Sequence, residues 1–114
     1  MIIAVDFDGT LCCNAWPAIG APRNGVIDYV LWRQKGGAKL ILWTNRTGQR
    51  LDEAVAWCRE RGITFDAVNE NLPEMVERFG GDCRKIFADE YLDDKGVLPD
   101  TIEKRFRMTR RNRR

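Results

Sequence analysis

The sequence opens MIIAVDFDGT, an apolar run that ends abruptly in two aspartates. Ile2 to Val5 is mostly β-branched and shows no polar alternation, which predicts a strand buried on both faces, as in a parallel sheet. Such a strand needs helices over both faces and crossover connections to its parallel neighbours. The rest of the chain supplies them. Asn24 can cap a helix running to about Gln34, with Val26, Ile27, Val30 and Leu31 on one face and Gly36 and Gly37 ending it. Leu40 to Trp43 reads as a second buried strand, and residues 50–61 as a helix with Leu51, Ala54, Val55 and Cys58 on one side. Phe65 to Val68 reads as a third strand, Pro73 to about Phe79 as a helix, and Lys85 to Leu92 as a fourth strand. Residues 11–23, with Trp16, Pro17, Gly20 and Pro22, read as a structured loop. The alternation predicts an α/β fold: a parallel sheet with helices on both faces. One domain over residues 1–98 and a basic tail over 99–114, with Pro99 a candidate start for a last helix, account for the chain.

Ligands of such sheets bind at the carboxyl ends of the strands. Here those ends carry Asp6, Asp8, Thr44, Asp93 and Asp94. Four carboxylates at one sheet edge cannot all ionise without a counter-charge. A hard divalent cation with oxygen ligands answers that need, and Mg²⁺ fits best. The carboxylate of Asp6 can then attack phosphorus to give an aspartyl phosphate. Asp8, two residues on and on the same side of an extended chain, can protonate the leaving oxygen and later activate water. Thr44 offers a hydroxyl to a phosphoryl oxygen, joined by the backbone N–H groups of Asn45 and Arg46. Lys85 is the best-placed cation to stabilise the phosphoryl charge, with Lys95 and Arg46 behind it.

DFDGT after one strand, LWTN after a second and YLDD after a fourth resemble the haloacid dehalogenase (HAD) superfamily of phosphohydrolases. The resemblance spans most of residues 1–95. It implies a three-layer α/β/α, Rossmann-like sheet. It implies Asp6 as nucleophile and Mg²⁺ ligand, and Asp8 as general acid/base holding the metal through its backbone carbonyl. It also implies Thr44 as phosphate ligand, Lys85 as charge stabiliser, and Asp93 and Asp94 as completing the metal site, Asp94 slightly favoured for direct contact. Neither the gap between Asp8 and the first helix nor that between Thr44 and the third strand holds a cap domain. The chain is therefore similar to short capless HAD phosphatases whose first motif is followed by a loop of the WPxIGxP kind.

Composition removes other chemistries. The count of histidines is 0, which excludes Ser-His-Asp and Cys-His catalysis. Cys12, Cys13, Cys58 and Cys83 match no zinc spacing and read as reduced thiols. Trp32, Trp43 and Trp57 read as core residues, whereas Trp16, in the loop after the nucleophile, is a candidate to contact substrate. Asn69 and Asn71 flank a strand end, where they face substrate or make turns. No apolar run suits a membrane span or signal peptide, which predicts a cytoplasmic protein.

Residues 104–114 hold seven of the 19 Lys+Arg, leaving 12 against 17 Asp+Glu in the body, a net −5. The expected substrate is a small phosphate ester or a nucleotide or nucleic-acid phosphate, with weak nucleic-acid contact through the basic tail. Two alternatives stay open at this level. One is a receiver-like phospho-acceptor. The other is a nucleic-acid-binding accessory protein with a vestigial site.

Overall fold

Four short strands, β1 (Ile2–Val5), β4 (Lys39–Leu42), β5 (Ala67–Val68) and β6 (Glu90–Leu92), form a parallel sheet in the order β5-β4-β1-β6. The structure, a computed structural model, describes residues 1–112. Between β1 and β4 come an antiparallel hairpin of β2 (Cys12–Ala15) and β3 (Ala18–Pro22), then helix α1 (Asn24–Lys35). Helices α2 (Gly48–Glu60), α3 (Pro73–Phe79) and α4 (Pro99–Asn112) complete the chain. No helix among the described residues is long and apolar enough to cross a membrane.

The unbroken apolar run of β1 has the predicted consequence. Ile3 and Val5 point to one face and join Leu40, Leu42, Ile27 and Val30 of α1, and Ala54 and Cys58 of α2. Ile2 and Ala4 point to the other and join Ile41, Ala67, Leu72, Ile86 and Ala88, with Met75 of α3 packed beside them. Both faces of the sheet are therefore covered, which is why β1 and the buried part of β4 contain no polar residue.

Several boundaries differ from the sequence reading, each for a local reason. Residues 11–23 are not a loop but contain the β2–β3 hairpin, whose turn carries a cis Trp16–Pro17 bond. A side chain at Gly20 would meet the backbone carbonyl of Cys13 at 2.1 Å, so only glycine lets the two strands close. Asn24 is the first residue of α1 rather than its cap, and Arg23 before it makes no side-chain cap bond. The Arg23 guanidinium instead donates to Gly9 O at 2.8 Å, tying the start of α1 to the turn after β1. The third sheet strand begins at Ala67 rather than Phe65 because the Asp66 carboxylate itself accepts the Leu40 N–H.

The last sheet strand begins at Glu90 rather than Lys85. Upstream of it, side chains take the bonds a ladder would make. Asn71 accepts from Phe87 N, and the Tyr91 hydroxyl accepts from Ala88 N and donates to Ile86 O. The tryptophans also depart from expectation. Trp32 and Trp43 are exposed, and only Trp57 is partly buried, its ring meeting Phe7 edge-on at 5.4 Å. The tail does form a helix, α4, while residues 113 and 114 lie outside the described residues.

Candidate active site

The chain passes from β1 outward to β4 and β5, then returns to place β6 on the other side of β1. Reversal of that kind opens a crevice at the carboxyl ends of the two strands where the direction changes. β1 delivers Asp6 and Asp8 to that crevice, and β6 delivers Asp93, Asp94 and Lys95. The pairing continues past the strands themselves, because Asp6 N donates to Leu92 O at 3.0 Å. β4 adds Thr44, Asn45 and Arg46, and the hairpin adds Asn14 and Trp16. These residues line one open cleft of about 320 Å³.

One carboxylate oxygen from each of Asp6, Asp93 and Asp94 lies within 4.8 Å of the others. Asp6 is partly buried and the other two are exposed. Burial pushes the Asp6 carboxyl from 3.8 up to about 6, and the neighbouring Asp93 and Asp94 push it the same way. The residues that follow Asp6 work against that shift: its carboxylate accepts the Thr10 hydroxyl at 3.1 Å, and a backbone hydrogen bond at Phe7 lowers it too. A hard, all-oxygen donor set with surplus negative charge fits a cation such as Mg²⁺.

Gly9 makes this grouping possible. Its φ is +86°, and a Cβ there would lie 2.3 Å from Asp94 Oδ2. The Asp94 carboxylate thus rests against bare backbone. Gly9→Ala is expected to destabilise the fold by about 1–3 kcal/mol through its left-handed φ and to drive Asp94 from its place. Denaturant unfolding checks the first effect. A variant as stable as the wild type would show that this turn tolerates a side chain.

Asp8 belongs to a different contact. Its carboxylate takes a two-pronged hydrogen bond from Arg46, Nε to Oδ2 at 2.8 Å and Nη2 to Oδ1 at 2.7 Å. The Arg46 side chain is only 1% exposed, against 20% for Asp8. The guanidinium also donates to Pro17 O and Ala18 O in the hairpin, and it sits over the rings of Phe7 and Trp16, 5.1 and 5.0 Å from their centroids. The hydrogen bond to Asp8 raises the Arg46 pKa above its ordinary value. Sequence reasoning missed this clamp. It offered Arg46 as a phosphate ligand through its N–H, but that N–H is engaged by Thr44 Oγ1 at 3.2 Å. The guanidinium is engaged by Asp8 rather than facing substrate.

Thr44 is positioned from both sides. Its N–H donates to Asn69 Oδ1 at 2.8 Å, and Asn69 itself adopts φ +54°. Asn69 therefore holds the β4 turn. Asn71 is buried and bonded to Asp82, Cys83 and Phe87, a purely structural role.

Lys85 does not reach the cleft. It is exposed and lines a separate hollow with Asn71, Met75 and Phe79. The reason is direction. β6 runs toward the site from Glu90, and Asp89 just before it is bonded through both its N–H and its carboxylate to Ile2 at the start of β1. Lys85 lies upstream of that anchor, whereas Lys95, ranked behind it from sequence, lines the cleft.

All four cysteines are free. Cys12 and Cys58 are buried, and burial pushes the Cys58 thiol up to about 12, which leaves it inert as a nucleophile.

No family model matches the chain, and no curated protein matches it. Among solved structures, a conserved protein coded by a locus of Bacteroides thetaiotaomicron is 38% identical, with a TM-score of 0.75 over 97% of this chain and 91% of that one. The chain belongs to the same family as that Bacteroides protein. Near-complete coverage in both directions means that, in this member of the family, the hairpin, the sheet and α4 all fall within the shared length.

Proposed function

We propose that the protein is a Mg²⁺-dependent phosphomonoesterase of the capless HAD type, with a three-layer, Rossmann-like sheet. The observation that carries this reading is the junction of two carboxylate sets at one sheet edge: Asp6, Asp93 and Asp94 grouped within 4.8 Å, and Asp8 beside them on a separate cationic clamp. Asp6, Asp93 and Asp94 would hold the metal through their carboxylates. Bound Mg²⁺ supplies charge that keeps these acids ionised and draws electron density from a phosphoryl oxygen.

This chain's own groups do the rest. An Asp6 carboxylate oxygen attacks phosphorus as the bond to the leaving oxygen breaks, and Asp8, which enters the step carrying a proton on a lone pair that Arg46 leaves free, gives that proton to the leaving oxygen. Asp8 then takes a proton from the water that hydrolyses the aspartyl phosphate. Arg46 fixes the direction of the Asp8 carboxylate through both oxygens. The Thr44 hydroxyl, whose oxygen already accepts Arg46 N–H, keeps its proton to donate to a phosphoryl oxygen. Lys95 takes the charge-stabilising part first expected of Lys85. The receiver-like alternative needs an acceptor carboxylate after β5. Asn69 stands there, with its side chain engaged by Thr44 N.

A panel of phosphate esters that includes an aryl phosphate tests this reading. Activity is expected with Mg²⁺ and lost on chelation. Lys95→Ala is expected to lower turnover by about 10²-fold, and Lys85→Ala to stay near wild type. Equal losses in the two variants would reassign the cation, and silence across the panel would sink the phosphatase reading.

A further inference from the structure

Trp16 is 57% exposed at the turn of the hairpin, yet it lines the same cleft as Asp6, Asp8, Thr44 and Lys95. Exposure alone proves little, since Trp32 is 65% exposed and sits with Met1 and Gly36 in a hollow that contains no carboxylate. Trp32 is held as well, with the Arg33 guanidinium carbon 5.3 Å from its ring centroid, so what distinguishes Trp16 is that it is open and held beside the carboxylates. The Arg46 and Arg50 guanidinium carbons lie 5.0 and 5.6 Å from its ring centroid. Both arginines also donate to the carbonyl of the next residue, Pro17. On the other side, Trp16 N donates to Asn14 Oδ1 at 3.3 Å. An aromatic ring fixed in advance loses little freedom when a ligand settles on it. Trp43, 36% exposed, lines the adjoining hollow that shares Asp6, Thr44 and Asp93 with the cleft. The cleft and the hollow beside it, both lined by Asp6, thus each carry one indole.

We propose that Trp16 is the stacking surface for a nucleobase, so that the ester hydrolysed is a nucleoside phosphate, either a free mononucleotide or the phosphorylated end of a single strand. This rests on the phosphatase reading for its chemistry but on the hairpin for its selectivity. A flat ring beside the phosphoryl site favours a planar leaving group over glycerol or sugar phosphates. Stacking is tolerant of base identity, because every base has a π-face. Selectivity among the four bases should accordingly be weak.

The test compares kcat/KM for nucleoside 3′- and 5′-monophosphates, 3′- and 5′-phosphorylated oligonucleotides and glycerol phosphate in wild type, Trp16→Ala and Trp16→Phe. The ratio of nucleoside phosphate to glycerol phosphate is expected to fall about tenfold or more in Trp16→Ala and to recover largely in Trp16→Phe. Preference within the nucleoside set separates free nucleotide from strand end. A ratio unchanged in Trp16→Ala overturns the proposal, as does an equal loss on every ester.

Calorimetric binding of the same nucleotides to Asp6→Asn, with and without Trp16→Ala, separates the two readings. Trp16-dependent binding with no hydrolysis of any ester by wild type supports the stacking surface and overturns the phosphatase. Hydrolysis with binding indifferent to Trp16 does the reverse.

Discussion

Asp6→Asn is expected to lower phosphatase turnover by on the order of 10³-fold or more, and at the same time to make the metal-free protein more stable near neutral pH. The first half follows from the role of Asp6. An amide cannot form the aspartyl phosphate, and the other carboxylate after β1, Asp8, is held by Arg46 through both oxygens. The second half follows from burial beside Asp93 and Asp94, which raises the Asp6 carboxyl from 3.8 to about 6. A folded state with the higher pKa binds the proton more tightly, so its extra stability is present below 3.8 and is lost as pH rises through about 6.

Asn removes that dependence. Because the Asp6 carboxylate is still partly open to solvent and screened, the gain near pH 7 is on the order of 1 kcal/mol. Thermal unfolding in chelator from pH 4 to 7 checks it, with the wild-type curve sloping downward and the variant curve flatter. Mg²⁺ should reverse the order by stabilising wild type more than Asp6→Asn. An Asp6→Asn protein that keeps its turnover ends the nucleophile assignment. A variant no more stable than wild type in chelator shows that the acidic group is not under strain.

These two effects also mark how far the sequence could be read. Periodicity alone placed β1, β4 and the helix faces correctly, because an apolar run without alternation has few other uses. Asp6, Asp8 and Thr44 follow from that placement, Asp93 and Asp94 from the end read for the fourth strand at Leu92, and the structure brings all five to one cleft. The failures share a different cause. The hairpin depends on Gly20 meeting a carbonyl across a turn. The short ends of β5 and β6 depend on Asp66, Asn71 and Tyr91 replacing ladder bonds with side-chain bonds. Lys85 was favoured by its position ahead of a strand, with that strand drawn five residues too early. Each of these is a specific side-chain or backbone contact, some between distant residues such as Asp66 and Leu40 and some across a single turn, and apolar spacing along the chain carries no signal for it.

The contact with the widest consequences is the one between Arg46 and Asp8, 38 residues apart. Arg46→Ala is expected to destabilise the protein by about 3 kcal/mol, and thus to lower its melting temperature by on the order of 10 °C. A buried guanidinium, 1% exposed, vanishes together with two bonds to the hairpin backbone, and a 20% exposed Asp8 is left without its cation. Asp8 can recover some water, which keeps the effect at the lower end for a broken buried pair.

Arg46→Lys should be nearly as damaging. One ammonium cannot meet both Asp8 oxygens and both hairpin carbonyls in the geometry that the planar fork provides. A double-mutant cycle of Asp8→Asn with Arg46→Met separates the pair from the rest. The double variant should be more stable than the sum of the single losses predicts, by about 1–3 kcal/mol. Additivity would mean that Arg46 is held by Phe7, Trp16 and the hairpin carbonyls alone. In that case the direction of the Asp8 carboxylate, and with it the proton transfer assigned to Asp8, would need another source.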